Sequence, residues 1–262
     1  VQVLLQDKVA IVSGIGPGMG RDISLAFARE GADVALIGRT QAKLDALAAE
    51  VEAFGRRALP VVCDIADEAA CGRAADTVAA ELGRIDIVVN NAYDGGDAQL
   101  FMDADFDRWR QTMEVNLFGS LSMTRACVAH LEATGDGRVI MINTMSTQRI
   151  QPKWGAYAAS KGALATLTKT LAMELGPKGI RVNGVHPGYI YGDSVEWYFN
   201  HQAEKRGITF EEVYDEVASE TCLGYLPHSE EIAGTVVYFA SPLAKPVTGQ
   251  MIGVNAGHWF NG

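Results

Sequence analysis

The chain lacks most of what would mark it for secretion, metal binding or a nucleic-acid surface. Its four cysteines, Cys63, Cys71, Cys127 and Cys222, stand far apart with no CxxC pair. That spacing suggests neither a disulfide framework nor a zinc site, and reduced, mostly buried thiols fit an intracellular protein. The five histidines are scattered, none paired with a second ligand at helical or loop spacing, so no metal is expected. Lysine and arginine number 22 against 32 acidic residues, a net charge of −10 without any basic block, which argues against the clustered footprint of a nucleic-acid binder. No apolar run reaches membrane-spanning length. Val1 to Val12 lacks the basic start and long apolar run of a signal peptide. A cytoplasmic protein without membrane or nucleic-acid partners is the expectation.

What is present is an alternation. Hydrophobic residues make up 48% of the chain, enough for a sizeable core. Short apolar runs at Lys8–Ser13, Asp33–Gly38, Ala58–Cys63, Ile85–Asn90, Arg138–Asn143, Ile180–Val185 and Met251–Val254 read as strands. Helical stretches follow at Arg21–Glu30, Gln41–Phe54, Asp67–Leu82, Asp103–Leu131, Gly155–Leu175 and Ser229–Ala240. Runs that are apolar throughout suit parallel strands covered on both faces. The reading is a single α/β domain over 1–262, doubly wound around a mostly seven-stranded parallel sheet of Rossmann type. One stretch, Tyr189 to Leu226, is too long for an ordinary connection. It reads as an insertion, with helices near Ser194–Lys205 and Phe210–Glu220.

In such a sheet, ligands bind at the carboxyl ends of the strands, and there the unusual residues gather. Gly14, Gly18 and Gly20 lie between the first strand and helix, where glycines let the backbone approach a pyrophosphate at a helix N-terminus. Asp64, Asn90-Asn91-Ala92, Ser146 and Pro187-Gly188 end later strands. Tyr157 and Lys161, four apart, become neighbours on one helix face. An adjacent ammonium favours the phenolate, so the pair reads as a tuned proton donor and acceptor.

Taken together, these residues carry a resemblance to the short-chain dehydrogenase/reductase family, extending from about Lys8 to Gly257. It rests on Ser13-Gly14-x-x-x-Gly18-x-Gly20, Asp64, Asn90-Asn91-Ala92, Asn116, Ser146, Tyr157-x-x-x-Lys161, Arg181-Val-Asn-x-Val-x-Pro187-Gly188 and Thr248-Gly249-Gln250. The resemblance implies hydride transfer between a nicotinamide and a carbonyl or secondary alcohol. It implies that Tyr157 exchanges the proton with the substrate oxygen, and that Lys161 lowers the phenol's pKa and holds the nicotinamide ribose. It further implies that Ser146 hydrogen-bonds the substrate oxygen and that Asn116 holds a water linking Lys161 to solvent. The cofactor set implied is Ser13, Gly14, Gly18, Met19, Gly20, Arg39, Thr40, Asp64, Ile65, Asn90, Ala92, Tyr157, Lys161, Pro187, Gly188 and Ile190. The family assembly implied is a homotetramer.

This chain departs from the family pattern in four places. Tyr93 replaces the glycine usual after Asn-Asn-Ala. The count from Ser146 to Tyr157 is short, which leaves Thr144 as the second candidate for the hydroxyl, with Ser146 preferred for its place after Ile142-Asn143. Gly192 stands where the family often has a threonine for the carboxamide, leaving Asp193 or Ser194 for that contact. Asn255-Ala256 replaces Asp-Gly, without a reading.

Tyr93, Trp154 and Trp197 are the candidate walls of a mostly apolar substrate pocket, and the 190–222 insertion is expected to close over it with Trp197-Tyr198-Phe199. The expected substrate is a hydrophobic ketone or secondary alcohol, cyclic or steroid-like. A 3-oxoacyl-thioester reductase is the alternative activity, and a non-catalytic nucleotide-binding sensor or scaffold the alternative of another class. The second strand ends Ile37-Gly38-Arg39-Thr40, with a guanidinium where an acid would select NAD. NADP is therefore the expected cofactor and NAD the alternative.

Overall fold

The computed structural model describes residues 3–260. Its strands are β1 (Val9–Ser13), β2 (Asp33–Gly38), β3 (Ala58–Val62), β4 (Ile87–Asn90), β5 (Gly137–Ile142), β6 (Ile180–Pro187) and β7 (Met251–Val254). All pair in parallel in the order β3-β2-β1-β4-β5-β6-β7. Helices α1 (Met19–Arg29), α2 (Gln41–Glu52) and α9 (Ser229–Ala240) cover one face; α3 (Glu68–Leu82), α5 (Ser120–Ala133) and α6 (Gly155–Leu175) cover the other. The side-chain period of two sends Ala10 and Val12 of β1 into the first core, and Val9 and Ile11 into the second. Burial on both faces is why the strands read as unbroken apolar runs.

Two local features place the site. Strand order reverses around β1, whose neighbours are β2 and β4, so the loops leaving β1 and β4 diverge and open a crevice at their carboxyl ends. The single long helix expected from Asp103 to Leu131 is instead α4 (Phe106–Met113) and α5, joined by a π-helical segment, Glu114–Gly119. The extra residue of such a bulge re-aims side chains, and Asn116 lies within it, fully buried.

The insertion is two helices, α7 (Asp193–Arg206) and α8 (Phe210–Ser219), around a small core of Phe199, Ala203, Val213 and Leu226. Its ends are pinned. Tyr191 N donates to Pro227 O at 2.9 Å, and Leu223 N donates to Ala256 O at 3.1 Å. The C-terminal turn supplies the second anchor: Asn255 Oδ1 accepts from Gly257 N at 3.1 Å, and Asn255 Nδ2 donates to Trp259 O at 3.1 Å. Asn255 is thus a turn-forming residue, which gives the Asn255-Ala256 departure a physical role. Among the described residues, no helix is long and apolar enough to cross a membrane.

Candidate active site

The glycine loop is shaped by contact with the loop after β4. Gly14 has φ 77°, and a Cβ there would run into Ala92 Cα and lie 2.6 Å from Ala92 N. A Cβ on Gly20 would strike Gly14 O and lie 2.9 Å from Asn91 Nδ2. Asn91 Nδ2 donates to Gly14 O at 2.5 Å, locking the two loops together. Gly18 begins α1 without a side-chain cap, and although the Arg21 amide bonds Gly16 O at 3.3 Å, the helix dipole at this end favours an anion. Met19 and Gly20 form the first turn.

Several residues of the expected cofactor set turn out to hold the walls. Ser13 is fully buried; its hydroxyl donates to Val89 O at 3.3 Å and accepts from Asn91 N at 3.3 Å. Asn90 is buried too, with Nδ2 donating to Thr124 Oγ1 at 2.9 Å. Ile65 is buried against Gly119 of the π segment. Asp64 lies exposed, its Oδ1 accepting from Ala66 N at 3.1 Å. Arg39 and Thr40 are exposed at the end of β2, and Thr40 precedes α2 without a side-chain capping bond. Gly188 packs against Asn255, and Ile190 packs on the first core.

Tyr157 and Lys161 lie in the first two turns of α6. Lys161 is 2% exposed, and its Nζ donates to Ile142 O at 2.7 Å. Burial alone pushes it down to about 8. Burial pushes the Tyr157 phenol up to about 12, opposed by a hydrogen bond with the Thr144 side chain. The Lys161 ammonium donates to Ile142 O, and desolvation is the largest influence on the phenol.

Of the two candidate hydroxyls, Thr144 is the one whose side chain acts on the Tyr157 phenol. Thr144 follows β5 in extended conformation, φ −158° and ψ 150°, whereas Ser146 falls in the tight turn Met145–Thr147. Ser146 Oγ and Thr144 Oγ1 are 3.2 Å apart, and Ser146 N donates to Thr144 Oγ1 at 3.2 Å. Ser146 therefore backs Thr144, and the count back from Tyr157 was the signal that pointed to it.

Asn116 is brought close, through an arrangement absent from the sequence reading. Its Oδ1 accepts from Asp94 N at 2.7 Å, and its Nδ2 donates to Asp94 O at 2.9 Å and Ser160 Oγ at 2.9 Å. The amide thus fastens the loop after β4 to α6, one residue from Lys161. The same loop is gripped by Arg108, which donates to both carboxylate oxygens of Asp94 at 2.5 Å. That bond holds the Asp94 carboxyl below its usual range, with Arg39 acting more weakly in the same direction. Neither Asp94 nor Arg108 carried a sequence signal.

The aromatic candidates divide. Tyr93 and Trp154, 66% and 40% exposed, each stand edge-on to Tyr157 with ring centroids 6.3 Å away. Trp197, 69% exposed on α7, instead stacks on His201 at 5.7 Å, and among the described residues it makes no ring contact with Tyr93, Trp154 or Tyr157. Phe199 of the same segment is wholly buried in the insertion's own core, so it offers no surface to a substrate.

Tyr157 is half-buried and Lys161 buried, in a chain that is similar over nearly its whole length to known proteins. A family profile described as "Enoyl-(Acyl carrier protein) reductase" matches residues 14–258. The chain belongs to the short-chain dehydrogenase/reductase family. It is 34% identical over 252 residues to the short-chain reductase protein NovJ of Streptomyces niveus, covering 96% of this chain and 94% of NovJ. Among solved structures, L-sorbose reductase from Gluconobacter frateurii, complexed with NADPH and L-sorbose, superposes with a TM-score of 0.92 at 27% identity and 98% coverage of both chains. A 7α-hydroxysteroid dehydrogenase complexed with NADH and 7-oxo glycochenodeoxycholic acid gives 0.87 at 31% identity, covering 98% of this chain and 96% of that one. This short-chain oxidoreductase thus has relatives that hold either NADH or NADPH.

Proposed function

We propose that this enzyme interconverts a ketone and a secondary alcohol on a hydrophobic, ring-containing substrate, with NADPH as the preferred nucleotide. The observation that carries the reading is the Tyr157-Lys161 pair at the start of α6, with Lys161 buried and its Nζ donating to Ile142 O at 2.7 Å.

The residues fit a dinucleotide. The loop is closed to any side chain at Gly14 and Gly20, and the start of α1 offers uncapped amides to a pyrophosphate. Asp64, Ile65 and Ala92 would hold the adenosine part, and Pro187, Gly188 and Ile190 the nicotinamide part. Lys161 Nζ bonds one protein acceptor, Ile142 O, and its other N–H groups would hold ribose hydroxyls. Arg39 and Thr40 stand where a 2′-phosphate would be met, the guanidinium by two parallel donors. The nicotinamide, when bound, supplies or accepts the hydride.

The chain's own residues handle the oxygen and its proton. A phenol raised to about 12 stays protonated at neutral pH and donates as the ketone oxygen gains charge. Thr144 hydrogen-bonds the same oxygen and stabilises that charge. The Lys161 ammonium, charged below about 8, favours the phenolate left behind. Asn116 holds Asp94 and Ser160 in place around this pair. Tyr93 and Trp154 form apolar walls on Tyr157 that suit a flat ring. The 190–222 unit, with its own small core and pinned ends, closes over the cleft as a lid.

Exposed apolar side chains on the helical face support assembly into a homotetramer. Phe118 is half exposed and, with Leu121, Val128, Leu171 and Leu175, lines a groove of about 560 Å³ beside α5 and α6. Such a face in a homotetramer is covered by a second copy.

The test is a screen of NADPH and NADH consumption with trans-1-decalone, 7-oxo glycochenodeoxycholic acid, L-sorbose and a 3-oxoacyl thioester. Turnover of a cyclic ketone, lowered ~10²–10⁴-fold in Tyr157→Phe with NADPH still bound, is the expected result. Turnover of the thioester alone would transfer the activity to the acyl-thioester reductases.

A further inference from the structure

The segment carrying Thr144 leaves the sheet where its main-chain support ends. Asn143 N donates to Val185 O at 2.9 Å, the last backbone bond between β5 and β6 among the described residues. Two residues on, β6 has Pro187, which has no N–H to offer. A side chain takes over. His186, 3% exposed, places Nδ1 2.8 Å from Thr144 O. Thr147 Oγ1 donates to the same carbonyl at 3.0 Å and lies 3.4 Å from His186 Nδ1. A carbonyl oxygen only accepts, so the 2.8 Å contact requires the proton on Nδ1.

We propose that His186 is a positioning residue for proton transfer: its Nδ1–H holds the Thr144 carbonyl, and so fixes where the Thr144 hydroxyl meets Tyr157. This rests on the reading of Thr144 and Tyr157 given above. The lever is short, because the carbonyl and the hydroxyl belong to one residue. With the carbonyl gripped from β6 and Thr144 N donating to Asn143 Oδ1 at 2.9 Å, the residue is held at both ends of its backbone. Burial keeps the imidazole below the ordinary histidine range, opposed by the bond to Thr144 O, while nearby Lys169 and Lys161 also disfavour the charged ring. The ring is therefore neutral at pH 7, with Nε2 bare. That is the less common tautomer of a solvated histidine, which gives the proposal a signature independent of any substrate.

The experiment has two parts. The ¹⁵N imidazole spectrum of the unaltered protein, with the His186 signals assigned by their loss in His186→Asn, should show Nδ1 protonated; protonation at Nε2 instead overturns the proposal. Kinetics then use the ketone turned over fastest in the screen. His186→Leu fills the volume without a donor and should lose about tenfold to a hundredfold in kcat, the scale of a misplaced reacting group. NADPH affinity by fluorescence should stay within about twofold, under ~0.5 kcal/mol. His186→Asn keeps an amide N–H near the place of Nδ1 and should recover kcat to within about threefold of the unaltered enzyme. Equal losses in the Leu and Asn variants, with Tyr157→Phe inactive, overturn the role of His186 alone. Turnover retained in Tyr157→Phe overturns the proton-transfer reading beneath it.

Discussion

Gly14→Ala compared with Gly16→Ala tests whether the glycine loop is built by close approach or merely by flexibility. Gly14 sits at φ 77°, and its new methyl would meet the Ala92 main chain, with Ala92 N at 2.6 Å. A left-handed conformation costs a side-chain-bearing residue ~1–2 kcal/mol, and forcing a carbon into a packed site costs ~1–3 kcal/mol. Backbone cannot swing aside as a flexible side chain does, so the two costs add to roughly 2–5 kcal/mol. For a chain of this size each kcal/mol lowers Tm by ~2–4 °C, giving a fall of about 4–20 °C. Gly16 has nothing within 4 Å of an added Cβ and no positive φ, so Gly16→Ala should move Tm by less than about 2 °C. Differential scanning fluorimetry on the two variants reads both numbers, and NADPH titration of each shows whether displacement of Ala92 also weakens the nucleotide site. Similar melting points for the two variants would refute the argument from Ala92.

Three further outcomes follow from the site. Thr144→Val should cut kcat by ~10²–10³-fold, as loss of an oxyanion donor does, with Ser146→Ala costing less than about tenfold; the reverse order in steady-state kinetics would return the hydroxyl role to Ser146. Lys161 is charged below about 8 and neutral above it, so kcat/KM for ketone reduction should fall as pH rises through that value, and a flat profile from about pH 7 to about pH 10 would remove the ammonium from the mechanism. Arg39→Asp should lower the NADPH to NADH ratio of kcat/KM by about 10–100-fold, the worth of ~1.5–3 kcal/mol of charge-assisted hydrogen bonding; an unchanged ratio would leave Arg39 as a surface residue.

The order of strands and helices was legible in the chain because it depends on local periodicity. Met251–Val254 and Ser229–Ala240 were located to the residue, and α6 begins at Gly155 as its pattern requires. Tyr157 and Lys161 lie on one helix, so their spacing alone makes them neighbours. The glycine loop is similar, since turn and helix start are consecutive in the chain. β4 starts at Ile87, two residues after the apolar run begins, and the Asp86 carboxylate before it accepts from Val9 N at 3.0 Å, a contact no window around Asp86 contains.

Side-chain direction and charge environment were decided by tertiary structure. Thr144 and Ser146 are two residues apart with the same functional group, and only the backbone turn between them determines which reaches Tyr157. The phenol is shifted upward chiefly by burial among elements distant in sequence. Asn116 was suggested by resemblance, but its partners Asp94 and Ser160 lie 22 and 44 residues away, brought together by a π bulge with no pattern of its own. Trp197 and Trp154 are equally aromatic in the chain. The fold sets Trp154 on Tyr157 and stacks Trp197 on His201, because α7 closes around its own core with Phe199 inward. Local pattern thus determined which groups the site could contain, while packing across the sheet edge decided which of them touch, since those contacts join residues that no short stretch of sequence holds together.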